Sequence, residues 1–312
     1  MLGLLTLNYR SLSAWQLATV PFPAEEFERL KHSGVTVIHP AVGFVSGDIR
    51  ASSIDDLARW NRFIAAHPDR FLRVDDVADL EYAKASGRIG IILGLQNSAH
   101  FETPGDVDLF HKIGQRISQL TYNDNRLGGG SHSPQSGLSP YGAEIVARMN
   151  RAGMGVDVSH CSDRTTLDAI EASAQPVLVT HSNCRALVPG SRRCKTDEAI
   201  QRMAARGGVM GVTLVRGFVN GAGTATMEHF LRHIDHIVAL AGVEHVGLGT
   251  DVDQLGRDRG GASRLDLEGA NYARKVYEVT EGLVRRNYSS SSIEAILGGN
   301  FRRVLKQIWT HA

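Results

Sequence analysis

Long apolar runs are missing from this chain. No segment reaches the roughly 18 uninterrupted apolar residues that a membrane span needs. Excess charge is missing too: 34 Lys and Arg stand against 33 Asp and Glu, a net charge of +1. That balance leaves no field to draw the chain to nucleic acid or to an anionic membrane. Cysteine is scarce. Cys161, Cys184 and Cys194 are odd in number and form no CxxC pair, which argues against a disulfide framework and for a reducing, cytoplasmic setting. The opening Met1-Leu2-Gly3-Leu4-Leu5-Thr6-Leu7 lacks the basic region and small-residue cleavage site of a signal peptide and reads as a first strand. Internal repeats and low-complexity tracts are absent, and Gly128-Gly129-Gly130 is too loosely patterned for a phosphate loop.

What is present is an ordinary globular composition, 42% hydrophobic and 21% charged over 312 residues, and a regular alternation. Eight short apolar runs read as strands: Leu4–Tyr9, Val35–His39, Ile89–Gln96, Ile117–Tyr122, Gly155–His160, Val177–His181, Val209–Val215 and His245–Asp251. Between them lie stretches with helical spacing: Ala24–Lys31, Ser53–Ala66, Val77–Ala85, Ala143–Ala152, Arg164–Ala172, Asp197–Ala205 and Met227–Ala241. Apolar strands separated by helices mean a parallel sheet covered by helices. Eight such units predict one α/β domain over residues 1–312, a (β/α)₈ TIM barrel with extra helices after the last strand. The glycine-rich segment 123–139 and the loop 254–264 would then lie at the catalytic face, either as mobile lids or as plain connections.

Barrel strands are apolar, so polar residues at their C-terminal ends carry the functional signal. Here those ends hold Tyr9, His39, Gln96, Tyr122, His160, His181 and Asp251. His160, His181 and Asp251 form a coherent set, because two imidazoles and a carboxylate at one barrel mouth suit Zn²⁺ or a similar metal. The plainer reading is that each histidine is hydrogen-bonded in the rim, and the pairing with Asp251 weighs against it. His233 and His236, three apart on a helix, read as packing residues. Cys161 reads as a small buried residue, and His39, before Pro40, is a minor candidate.

The blocks Val156–His160, Thr180-His181-Ser182-Asn183-Cys184-Arg185-Ala186-Leu187 and Val246–Asp253, with Gly137-Leu138-Ser139-Pro140-Tyr141-Gly142 ahead of Met149-Asn150-Arg151, resemble the renal (membrane) dipeptidases, peptidase family M19. The resemblance implies an amidohydrolase-like barrel whose usual members cleave dipeptides with two zinc ions, often as homodimers. It also implies that His160 and His181 are ligands of the second zinc. Asp251 takes the place of the last-strand aspartate, and Arg193, or its neighbour Arg192, that of the arginine receiving the substrate carboxylate. The departures are specific. Where the family opens with His-x-Asp, this chain has Leu7-Asn8-Tyr9; its bridging glutamate is matched by Gln96, and its substrate-contacting histidine by Tyr122.

Two Zn²⁺ ions about 3.5–4 Å apart repel and need anionic bridges. With Tyr for Asp and Gln for Glu, the expectation is one zinc ion at most, or none, held by His160 and His181 with Gln96 or Asp251. Two readings follow. In the first, a metallohydrolase cleaves a small amide or dipeptide: Asp251 is the general base, Arg193 fixes the carboxylate, and Tyr122 or Tyr9 supports the developing oxyanion. In the second, the barrel is non-hydrolytic or inactive and binds a small amino-acid-like ligand.

Overall fold

The structure, a computed structural model, describes residues 2–6, 8–40, 47–255, 267–268 and 274–309. Leu7 and the Arg257–Gly261 stretch lie outside them. Seven of the eight predicted strand runs contribute short parallel segments: β1 Val37–Ile38, β3 Ile89–Ile91, β4 Gly94–Leu95, β5 Ile117–Gln119, β6 Gly155–Asp157, β7 Leu178–Ser182, β8 Val209–Val212 and β9 Val246–Leu248, with an unpredicted β2 at Phe71–Arg73. They pair in the orders β1-β3-β2 and β4-β5-β6-β7-β8-β9. The predicted run Ile89–Gln96 is thus split into two strands, β3 and β4, with three partners between them. Its lower half pairs with β1 and β2, and its upper half passes to β5 from Gly94 onward.

The ring closes through the N-terminal segment. Leu2 bridges His39 and Leu4 bridges Asp253, both in parallel, with Asp251 N–H donating to Leu2 O (3.1 Å) and Gln254 N–H to Leu4 O (2.7 Å). The fold is therefore the expected α/β barrel. One expectation fails at its start: Leu4–Tyr9 does not continue as a strand. Asn8 accepts from Ser11 N–H at 3.2 Å and caps helix α1, Tyr9–Gln16. An asparagine side chain is a good N-cap acceptor, and the chain turns helical there.

Seven further helices follow the predicted stretches: α2 Ala24–His32, α3 Ile49–Ala66, α4 Val77–Ser86, α6 Pro140–Ala152, α7 Asp163–Ala172, α8 Asp197–Ala205 and α10 Met227–Ala241, while α5 Asp106–Lys112 and α9 Arg216–Asn220 were not predicted. Beyond the barrel come α11 Lys275–Arg285, α12 Ser290–Glu294 and α13 Asn300–Trp309. Phe301, Val304, Leu305 and Ile308 of α13 share one buried cluster with Ile117, Leu178 and Val209, the first residues of β5, β7 and β8. The last helix thus seals the N-terminal end of the barrel, and the opposite end is left for chemistry.

Candidate active site

The two predicted ligand histidines meet. His160 follows β6 and His181 lies within β7, and their Nε2 atoms are 3.0 Å apart. Both rings are buried enough that desolvation, aided by the Arg193 charge, drives their pKa well below the usual histidine value, so both are neutral near pH 7. Tyr122 lies flat on His160, ring centroids 4.1 Å apart at 25°.

A chain of side chains stands behind His181. Its Nδ1 lies 2.8 Å from Thr180 Oγ1, and that hydroxyl lies 2.6 Å from Asp157 Oδ2. The other oxygen of Asp157 accepts from Ser159 N–H (2.9 Å), Ser159 O–H (2.5 Å) and Thr180 N–H (3.1 Å). Burial raises the acid's pKa, and these four bonds pull against that rise. Asp157, an acid inside a buried strand, was the signal in the sequence for this network. The strand-end reading passed over it.

Of the two neighbouring arginines, Arg193 turns inward, 8% exposed, while Arg192 is exposed. Nη1 of Arg193 donates to Ser159 O (2.6 Å) and Ser182 Oγ (3.3 Å), and Nη2 to His181 O (2.8 Å). Those bonds tie the guanidinium to both histidine-bearing strand ends. Its Nε is buried with no partner among the described residues. Three of five donors are thus used, and the Nε/Nη2 edge, which suits a carboxylate side-on, retains Nε–H and one Nη2–H. The guanidinium also stands over Phe218 of α9, 5.5 Å from the ring centroid.

Asp251 comes three residues after β9 with φ 54°, a left-handed backbone uncommon outside glycine. Burial pushes its acid up to about 7, with the Arg193 charge opposing. Its carboxylate does not join the imidazole pair as a third ligand. Among the described residues no three His, Cys, Asp or Glu side chains come together to hold a metal. Asp251 instead acts on Arg193 and Tyr122 through its charge.

Gln96 is buried just beyond β4, its main-chain carbonyl accepting from Gln119 Nε2 at 2.6 Å. Tyr9 is 56% exposed on the first turn of α1, within electrostatic reach of Tyr122. The glycine-rich segment is fastened: Ser131 N–H donates to His160 O and Ser162 N–H to Gly129 O. His233 and His236 part company. The first sits between Cys184 N–H and Val219 O, the second pairs with Asp197.

Two imidazole nitrogens on one tetrahedral zinc, at about 2.0–2.1 Å each, lie about 3.3 Å apart. The 3.0 Å separation between His160 and His181 therefore fits a single ion with little movement.

A parallel α/β barrel with two imidazoles, an acid and a buried arginine gathered at its C-terminal mouth is the architecture of metal-dependent amidohydrolases. Residues 27–312 match the model of the membrane dipeptidases, peptidase family M19, and the chain belongs to that family. It is 34% identical to an uncharacterized dipeptidase of Schizosaccharomyces pombe over 76% of this chain and 58% of the relative. It is also 28% identical to a Claviceps purpurea dipeptidase over 79% of this chain and 57% of that one. The chain thus spans under three-fifths of the length of these curated relatives. Among solved structures it is similar to an amidohydrolase from Pseudomonas aeruginosa (29% identity, TM-score 0.82, 93% of this chain and 94% of that one). A Rhodobacter sphaeroides metallopeptidase liganded with a phosphinate mimic of L-Ala-D-Ala shares the fold (20% identity, TM-score 0.79, 97% and 95%).

Proposed function

We propose that this barrel hydrolyses the amide bond of a dipeptide or a similar small amide, with His160 and His181 holding at most one divalent ion, zinc by preference of ligand type. The observation that carries the reading is the pair of neutral imidazoles 3.0 Å apart beside a buried arginine with an unused donor edge. When bound, such an ion acidifies a water and polarises the scissile carbonyl. Gln96 is the neutral side chain offered as a further, weak ligand.

The protein's own residues do the rest. Arg193 receives the substrate carboxylate on Nε and Nη2 while its other donors keep it fixed to the strand ends. Asp251, half ionised near pH 7, accepts a proton from the attacking water and delivers it to the leaving nitrogen as the C–N bond breaks. Tyr122, whose hydroxyl burial keeps protonated, donates toward the oxyanion, and Tyr9 borders the entrance. Among the described residues no helix is long and apolar enough to cross a membrane. The three free, buried thiols accord with a reducing, cytoplasmic location.

The test is a dipeptide panel assayed with chelated protein and with zinc restored. Zinc-dependent turnover that disappears in His160→Ala together with the metal is expected; full turnover by metal-free protein refutes the reading. One observation favours a second reading. The imidazoles already satisfy each other and, among the described residues, no third acidic or thiolate ligand joins them, as in a barrel that binds a small amino-acid-like ligand without hydrolysing it. Thermal stabilisation by such ligands without turnover or metal uptake would select that reading.

A further inference from the structure

His181 can serve as a ligand through Nε2 only if its ring proton resides on Nδ1, and the surroundings of Nδ1 decide this. Thr180 Oγ1 has one proton to give and three neighbours: Asp157 Oδ2 at 2.6 Å, His181 Nδ1 at 2.8 Å and, farther off, Ser159 Oγ at 3.2 Å. Asp157 is fully buried and takes three donors on Oδ1, a setting made for a carboxylate that accepts everywhere. Ser159 is equally committed. Its hydroxyl accepts from His181 N–H at 3.1 Å and gives its own proton to Asp157. The Thr180 proton therefore points to Asp157, and its lone pair faces Nδ1–H.

We infer that Asp157 and Thr180 are positioning residues that lock His181 as the Nδ1–H tautomer, so that its Nε2 lone pair faces His160 and the barrel mouth. The same bonds fix the ring's rotation. The network also bridges β6 and β7 where their ladder is thin: the two strands share a single registered pair, Asp157 with Leu178. A purely structural strap would need the bonds in either direction. The tautomer lock needs them in one.

This inference rests on the proposed role of His181 as a ligand, and its readout is separable from that role. In full-length, chelator-treated, ¹⁵N-labelled protein, two-bond ¹H–¹⁵N spectra report the tautomer of each histidine, and His181→Asn assigns the signal. Wild type and Thr180→Ser are expected to show Nδ1–H. Thr180→Val, without a hydroxyl, is expected to move toward Nε2–H. Asp157→Asn is the sharper variant. The three donors hold the amide oxygen at the Oδ1 position, so the NH₂ group faces Thr180, turns its hydroxyl round to donate to Nδ1, and forces Nε2–H on His181. An Nε2–H tautomer in wild type, or an unchanged tautomer in whichever of the two variants folds, overturns the inference. Zinc competition against a chromophoric chelator gives an independent measure. Thr180→Val is expected to bind zinc about 10–100-fold more weakly and Thr180→Ser within a few-fold of wild type, as for other residues behind a metal-binding histidine. If wild type takes up no zinc, the metal reading above fails, and the tautomer spectra alone decide this inference.

Discussion

Acid should unfold this protein early, and the structure allows the size of the effect to be worked out. His39, His100 and His233 are buried, and desolvation lowers each pKa from 6.5 to about 4. His233 shows why the neutral form is built in: Nδ1 accepts from Cys184 N–H at 3.1 Å while Nε2 donates to Val219 O at 3.0 Å, and a second ring proton would leave no acceptor for the amide. Between pH 6.5 and 4 the unfolded chain binds protons at these sites that the folded chain refuses, so stability is full above 6.5 and falls as pH drops. At about 1.4 kcal/mol per pKa unit, each histidine costs about 2 kcal/mol at pH 5, about 6 kcal/mol together. Asp251 works the other way. Its folded pKa, raised to about 7, relieves about 2.5 kcal/mol on acidification from pH 7.5 to 5. The net loss is about 3.5 kcal/mol, a large part of the roughly 5–15 kcal/mol that holds a domain together. His160 and His181, lowered in the same direction, deepen it. Urea unfolding at pH 7.5 and pH 5 measures the difference directly, and in His233→Gln the drop should shrink by about 2 kcal/mol. Equal stability at the two pH values would refute the neutral-histidine argument.

Other consequences can be checked separately. Asp251→Asn should lower kcat/KM on a cleaved dipeptide by about 10²–10⁴-fold, and the wild-type rate should rise through pH 7 as the acid ionises, a limb that steady-state profiles would locate. Arg193→Ala removes three bonds to the ends of β6 and β7 and should cost about 3 kcal/mol or more in denaturant unfolding. In Arg193→Lys, which offers a point charge instead of a fork, KM should suffer more than kcat. A methyl on Gly249 would collide with the Thr180 carbonyl and crowd His181 Cα at 3.1 Å. Gly249→Ala should therefore destabilise by about 1–3 kcal/mol and weaken zinc uptake, while Gly87→Ala, whose Cβ meets nothing, should leave uptake unchanged.

The barrel was legible because its strands are apolar and its helices periodic. Asp197–Ala205 and Met227–Ala241 fall on the predicted residues, since their apolar stripes face the barrel and a threonine precedes each. Less legible was β2: Phe71-Leu72-Arg73 is three residues long and is a strand only because β3 lies alongside. The helix at Tyr9 was hidden for the opposite reason, its local capping signal at Asn8 overriding an apolar run. At the site, residue types showed which side chains end on the mouth, and the imidazole pair and inward Arg193 followed. They could not show that Asp251 takes a left-handed backbone or that its charge is felt by Arg193 and Tyr122. That depends on where the chain leaves β9, a three-dimensional fact. The Asp157 network was readable in principle, because an acid inside a buried strand must find donors.

The account stands on one pair of nitrogens accepting one ion. Metal analysis of the purified chain, wild type beside His160→Ala and His181→Ala after incubation with zinc and removal of excess, measures that directly. One zinc or fewer per wild-type chain, and none in either variant, is predicted. Two zinc ions per chain, or zinc retained at full stoichiometry without these histidines, would contradict it.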